Sequence, residues 1–314
     1  MASPTDAPPA RENDRYDVII VGGGPAGLNA ALILGRCRRR ELLVDSGKPR
    51  NAVSPGVHGF LTRDGTLPSE MRRIGREQLK PYPSVEVRDS EICEARRNGD
   101  GFEVREADGA RFAARKLLLA TGLLDDLPDI PGFSEFYGSG VFNCPYCDGW
   151  ENRDRPIAVY GPGERCVGLA LEMTLWSRDM ALLTDGPADI PDGNRARLER
   201  QGIRIVEEKI ARLEGDESGL KRIHFEGREP LEREAIFLNY GEREGSELAR
   251  MAGCELTNGG TVETRSYERT DVPGLYVAGD ASRRVQFAIV AAGEGAMAAF
   301  AINNEMLKED LPRD

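Results

Sequence analysis

Residues 17–27 read DVIIVGGGPAG, and no other stretch limits the fold as tightly. A continuous apolar run ends in Val21. Gly22, Gly24 and Gly27 follow at G-x-G-x-x-G spacing, and LNAALILGR then places apolar residues at helical spacing. A second apolar run, ELLVD, ends in Asp45. Strand, glycine turn, helix and strand in this order make a parallel β-α-β unit. The first glycine permits the tight turn, the second lets the backbone approach a pyrophosphate, and the third lets helix and strand pack closely. The acid about 20 residues further on reaches a ribose hydroxyl. Unpaired N–H groups and the positive dipole end of the helix then face the phosphates.

The same unit returns at PIAVYGPG (156–163), followed by the helical CVGLALEMTLWS and the strand MALLTD. Gly161 and Gly163 are kept, but Cys166 stands at the third glycine position. Asp185 at the strand end would repel a 2′-phosphate, and Arg195, Arg197 and Arg200 come well downstream on a predicted helix. A dinucleotide with a free 2′-hydroxyl fits this loop and NADPH fits poorly; a Rossmann-like domain kept as scaffold is the alternative. Residues 66–80 predict a surface helix with Pro68 in its first turn. Short alternating runs over 85–119, divided by NGDG and ADGA, predict an antiparallel meander, and a second meander is expected at roughly 203–240. GLYVAGD reads as a strand ending at Gly279-Asp280, and an Ala- and Gly-rich helix is expected over about 286–307. The fold class is α/β, with two Rossmann-like three-layer nucleotide-binding domains.

Length agrees, since 314 residues is more than one core usually covers. A net charge of −11 argues against a nucleic-acid surface or an anionic membrane as partner. No apolar run reaches bilayer length. Residues 1–14 are polar and Pro-rich, lack the basic-then-apolar order of a secretory signal, and read as a disordered lead. A reducing cytoplasm is the expected compartment.

In that compartment the pair in VFNCPYCDGWE, Cys144 and Cys147, has three open roles: half of a metal site, a structural bond, or a reactive dithiol. Cys37, Cys93, Cys166 and Cys254 have no close Cys or His partner in sequence, and His58 and His224 are the only histidines, so a four-ligand zinc site is hard to assemble and no metal is expected. Cys37, Cys93 and Cys254 read as small apolar positions. Close Cys-x-x-Cys pairs at helix starts have thiol pKa values below the usual ~8.5, and Pro145 stiffens this pair. His58, in the Gly-flanked HGF, is either a second base near a substrate pocket or a loop histidine with a satisfied ring. Tyr146 and Trp150 either line a pocket or pack in the core.

GGGPAG, LLLATG (117–122), CPYCDG (144–149), GPG (161–163) and VPGLYVAGD (272–280) occur in the order of the low-molecular-weight thioredoxin reductases, which the chain resembles from about residue 15 onward. The resemblance implies a homodimer with an FAD-binding domain (15–126 and 259–314) split around an inserted NAD(P)-binding-like domain (127–258) that carries CPYC. It implies that Gly22, Gly24, Gly27 and Asp45 hold the ADP half of FAD. Thr121, Gly122, Gly279 and Asp280 complete the flavin site, and Gln286 and Ala288 open the final helix toward the ring. Val285 stands where the family usually has Arg. Cys147 would be the flavin-proximal sulfur, Cys144 the exchanging one, and Asp148 the acid/base, its alternative being a helix N-cap or first-turn carboxylate.

Two departures matter. TDGPAD replaces the family's basic cluster after the second nucleotide loop, so NAD(P)H is possible but the 2′-phosphate site is absent. HGFLTRDGTLPSE (58–70) resembles the thioredoxin-reductase-like dithiol oxidases that close disulfides in small sulfur metabolites, although that branch has His where Asp148 stands. The expected function is FAD-dependent thiol–disulfide exchange, favoured as a dithiol oxidase using oxygen or another acceptor. An NAD(P)H-dependent thioredoxin reductase-like enzyme and a non-catalytic redox-sensing flavoprotein are the alternatives. The expected partner is a small dithiol or disulfide, or a thioredoxin-like protein.

Overall fold

The computed structural model of the protein describes residues 15–257, 261–282 and 285–311. The chain divides into two compact units, the second made of Val53–Pro68 with Asp125–Glu242 and the first of the remainder. In the first unit the elements are β1 (Tyr16–Val21), α1 (Pro25–Arg36), β2 (Glu41–Asp45), α2 (Pro68–Leu79), β3 (Val85–Asp89), β4 (Ile92–Asn98), β5 (Gly101–Glu106) and β6 (Arg111–Leu119). The chain leaves along β7 (Leu123–Asp125). The second unit holds β8 (Val141–Phe142), α3 (Pro145–Asp148), β9 (Ile157–Tyr160), α4 (Arg165–Met173), β10 (Met180–Leu183), α5 (Asp192–Arg200), β11 (Arg204–Val206), β12 (Ile210–Asp216), β13 (Gly219–Phe225), β14 (Arg228–Glu232) and β15 (Ala235–Leu238). The chain returns along β16 (Glu242–Glu244) and completes the first unit with α6 (Leu248–Met251), β17 (Leu275–Val277) and α7 (Ala288–Asp310).

In the first unit β3, β2, β1, β6 and β17 are parallel, and the N-terminal half of β6 also begins the antiparallel meander β6-β5-β4. The inner strands are apolar without alternation because both faces are covered. Val18, Ile20, Leu43 and Leu118 face a core shared with α1 and α7, while Ile19, Val21, Leu42, Val44, Leu117 and Leu119 face one shared with the meander and α6. The second unit repeats the design with parallel strands in the order β11-β10-β9-β15-β8. Ile157, Val159, Met180 and Leu182 pack with the helices, and Ala158, Tyr160, Ala181 and Leu183 with residues of the separate meander β12-β13-β14.

Three details differ from the sequence expectation. β3 does not join the meander; it pairs in parallel with β2, and its VEVRD alternation is that of a half-exposed edge strand. β11 and β15 likewise belong to the parallel sheet, which leaves only β12–β14 as the second meander. Residues 243–257 pack with the first unit, because Leu248, Ala249, Ala252 and Cys254 enter its core, whereas Val53–Pro68 belongs to the second. The expected lead 1–14 and the expected boundary at 259 lie outside the described residues. Among the described residues no helix is long and apolar enough to cross a membrane.

One core residue is a carboxylate. Glu41 is fully buried at the start of β2, and neither of its side-chain oxygens has a hydrogen-bond partner. Burial, aided by the nearby Asp17, pushes its pKa up to about 9. A folded value above the unfolded one means that this group's contribution is fully present below the unfolded pKa and is lost as pH rises toward 9. Glu41→Gln is therefore expected to leave the melting temperature near pH 4 unchanged and to raise it at pH 8, by roughly 2–4 °C per kcal/mol recovered. Thermal melts at the two pH values check this.

Candidate active site

The first glycine turn is as tight as its spacing demands. Gly22 has φ +112°, and a Cβ there would lie 2.2 Å from the Ala120 carbonyl oxygen. At Gly27 a Cβ would meet the Gly22 carbonyl oxygen at 1.8 Å, so α1 seats directly on the turn. Gly24, the N-cap of α1, has open space where its side chain would be, and Pro25 starts the helix with φ preset and no N–H to satisfy. That open position beside unpaired N–H groups is the cradle a pyrophosphate requires.

Asp45 ends β2 beside this turn, almost fully buried. Its Oδ2 accepts hydrogen bonds from Arg72 (2.5 Å) and Arg76 (2.8 Å), and its Oδ1 accepts one from the Gly47 amide (3.1 Å). Burial pushes its carboxyl up, but the bonds from Arg72, the Gly47 amide and Arg76 outweigh burial and hold it below the usual carboxylate range. The arginines lie one turn apart on α2, a spacing that places them on one helix face. Nothing in their sequence context linked them to β2.

Thr121 and Gly122 come one residue after β6, and Gly279 and Asp280 one residue after β17, its parallel neighbour. The Gly279 amide donates to the buried carboxylate of Glu294 on α7 (2.8 Å). Arg50 bonds both the Asp280 carboxylate (3.3 Å) and the Gln286 side-chain oxygen. Ala288 is the first residue of α7. Neither Arg50 nor Glu294 was singled out from sequence, although Glu294 is the one acid in the Ala- and Gly-rich first half of α7.

In the second unit Cys144 and Cys147 form a disulfide, with Cα atoms 5.2 Å apart. Cys144 is the N-cap of the single turn α3 and Asp148 its last residue, which removes the N-cap reading of Asp148. Asp148 is 8% exposed. Burial, opposed by His58 and assisted by Glu151, pushes its pKa up to about 6. The His58 Nδ1 lies 2.7 Å from the Cys147 carbonyl oxygen, and its Nε2 lies 3.5 Å from Glu151 Oε1. His58 and Asp148 thus meet at the disulfide, and Glu151 is a neighbour the sequence did not flag. Tyr146 and Trp150 are 62% and 64% exposed, so core packing does not explain them. Arg153 caps the Trp150 ring at 4.1 Å.

The second nucleotide loop uses its acid internally. Gly161 (φ +153°) and Gly163 precede α4, where Cys166 is buried with its thiol pushed up by burial to about 11. Asp185 Oδ1 accepts the Ile210 amide (2.7 Å) and Oδ2 lies 3.4 Å from the Tyr160 hydroxyl. Arg195 bonds Glu207 and the carbonyls of Ala188 and Ile190, and Arg197 bonds Asn194. Of the remaining cysteines Cys254 is buried, Cys93 half-buried, and Cys37 exposed at the end of α1, against the expectation that it is apolar filling. Among the described residues no cluster of His, Cys, Asp and Glu could hold a metal ion.

Residues 16–295 match the family model described as pyridine nucleotide-disulphide oxidoreductase. The chain belongs to that family. Within it, the enzyme is an FAD-dependent disulfide oxidoreductase of the thioredoxin reductase-like kind. It is similar to the thioredoxin reductase tcpT of Claviceps purpurea, 30% identical over 278 residues, covering 84% of this chain and 86% of that protein. The crystal structure of HlmI is 35% identical, with TM-score 0.91 over 96% of this chain and 95% of its own. That of the oxidoreductase from Agrobacterium tumefaciens is 31% identical, with TM-score 0.88 over 94% of this chain and all of its own.

Because the Asp148 pKa is raised on folding, its ionised form weakens the native state above pH 6. Asp148→Asn is expected to stabilise the protein at pH 7.5 by about 1–3 kcal/mol and to have little effect at pH 4. Urea unfolding at both pH values measures the difference.

Proposed function

We propose that the protein oxidises dithiols to disulfides. What carries the reading is the far end of β10, where Asp185 places a carboxylate bonded to its own chain and the cation of Arg195 is paired with Glu207, an arrangement unsuited to a 2′-phosphate. A substrate thiolate attacks Cys144 Sγ, the Cys144–Cys147 bond breaks, and Cys147 leaves as a thiolate. The second substrate thiol attacks the mixed disulfide, Cys144 is released, and the product departs as a disulfide. Two electrons and two protons then remain on the cysteine pair. Asp148, poised near pH 6, exchanges a proton with the leaving sulfur. Bound FAD supplies the two-electron acceptor that lets the pair close again, with oxygen or another acceptor taking the electrons onward.

We assign the ADP half of FAD to Gly22, Gly24, Gly27 and Asp45, with Arg72 and Arg76 steadying the acid. Thr121, Gly122, Gly279, Asp280, Gln286 and Ala288 form the remainder, with Arg50 joining Asp280 to Gln286. A reducing compartment such as the cytoplasm suits a chain whose cysteines other than the pair are free among the described residues. The substrate is a small dithiol, with a thioredoxin-like protein as the second candidate.

Asp148 and the retained Gly161/Gly163 turn favour the second reading, a reductase fed by a pyridine nucleotide at a site that includes Asp185. Anaerobic mixing separates the two. Flavin absorbance should bleach with dithiothreitol and stay unchanged with NADPH or NADH; rapid bleaching by either nucleotide at low concentration establishes the reductase instead. Cys144→Ser should abolish dithiol turnover, and unchanged turnover would leave only the redox-sensing alternative.

We also propose a homodimer joined through α7. Ile289, Met297, Phe300 and Leu307 are exposed on one face of this helix, and the Tyr267 ring lies 6.0 Å from that of Phe300. Phe300→Asp is expected to convert a dimer of about twice the chain mass to monomer in sedimentation equilibrium, a charge in an apolar seam being strongly unfavourable.

A further inference from the structure

Closing a dithiol releases two electrons and two protons, and one carboxylate accepts only one proton. Resting on the disulfide-exchange reading above, we propose that His58 and Glu151 form a relay dyad that carries protons between Asp148 and solvent, with Glu151 the positioning residue for the His58 ring. The geometry fixes the tautomer. A carbonyl oxygen only accepts, so the 2.7 Å contact with Cys147 puts a hydrogen on His58 Nδ1 and leaves Nε2 as the nitrogen that gains and loses a proton. Nε2 is the atom that faces Glu151, at 3.5 Å, and Glu151 is 39% exposed and so opens the path to water.

The ring's place is set in advance. Val57 bridges Thr66, with N–H···O bonds of 2.8 Å from Val57 to Thr66 and 2.9 Å from Gly65 back to Val57. Asp64, the acid of the same loop, accepts the Gly59 amide at 2.7 Å, and Ser54 donates to the Gly56 carbonyl. Two groups act on Asp148 in opposite senses: His58, while it carries the relayed proton, favours the ionised form and Glu151 the protonated form. A charge-reading relay therefore differs from a merely structural loop in the sign of two substitutions.

The test uses the holoenzyme. Anaerobic stopped-flow reduction by dithiothreitol is followed from pH 5 to 9 for wild type, His58→Gln, Glu151→Gln and Cys144→Ser. His58→Gln should move the acidic limb to higher pH and lower the plateau rate about tenfold. Glu151→Gln should move that limb to lower pH and lower the plateau about threefold. With only two histidines in the chain, ¹⁵N-histidine NMR of wild type and a His224→Gln variant should show neutral His58 protonated at Nδ1. Limbs that stay put or move together, plateau rates within twofold of wild type, or a proton on Nε2 overturns the dyad. If Cys144→Ser reduces at the wild-type rate, it is the disulfide-exchange reading that fails; if it is dead while the two variants match wild type, only the dyad fails.

Discussion

The first unit rests on one close approach between backbones. α7 crosses α1 so tightly that a Cβ on Gly295 would lie 2.0 Å from the Ala26 carbonyl oxygen, and small residues such as Ala30, Ala31, Ala298 and Ala299 fill the seam. Any larger side chain at that point would separate the helices. The contact brings the N-terminus of α1, with Gly24 open beside it, against the Gly279–Asp280 turn, where a Cβ on Gly279 would meet that of Ala26 at 3.2 Å. Glu294, one residue before the crossing glycine, then takes the Gly279 amide. Two loops more than 250 residues apart in sequence are brought side by side because the side chains are small or absent where the two helices touch.

The second unit works through desolvation. A single turn of helix between two cysteines cannot rely on a macrodipole of any length, and the local chemistry is set by what is buried beside it. Asp148 loses water and its proton affinity rises, while His58 on the Val53–Pro68 loop opposes that rise when it is protonated. The balance leaves a carboxyl that can both give and accept protons near neutral pH, which disulfide exchange requires. Tyr146 and Trp150 stand exposed near it, the first packed edge-on against Trp176 and the second under Arg153.

The two nucleotide-type loops show how one backbone plan diverges by side-chain commitment. In both, a parallel strand, a glycine turn and a helix recur, and an acid follows the next strand. Asp45 is gripped by cations that keep it ionised at the mouth of its turn, whereas Asp185 is drawn onto the Ile210 amide and toward Tyr160. The same residue type at the same topological position thus serves different ends.

By itself the sequence determined the α/β class, both β-α-β units and the extent of α2, because these depend on local periodicity and spacing; the roles expected of Cys144 and Cys147 came from the family resemblance. The edge positions of β3 and β11, the allegiance of residues 53–68 and 243–257, and the partners of Asp45, Asp148 and Asp185 were decided only in three dimensions. A short alternating strand reads alike in a meander or at a parallel edge, and a loop's unit is set by which core its side chains enter. An acid's chemistry depends on how much water it loses and which distant arginine or histidine reaches it. Those quantities are properties of packing, and no spacing in a linear chain encodes them.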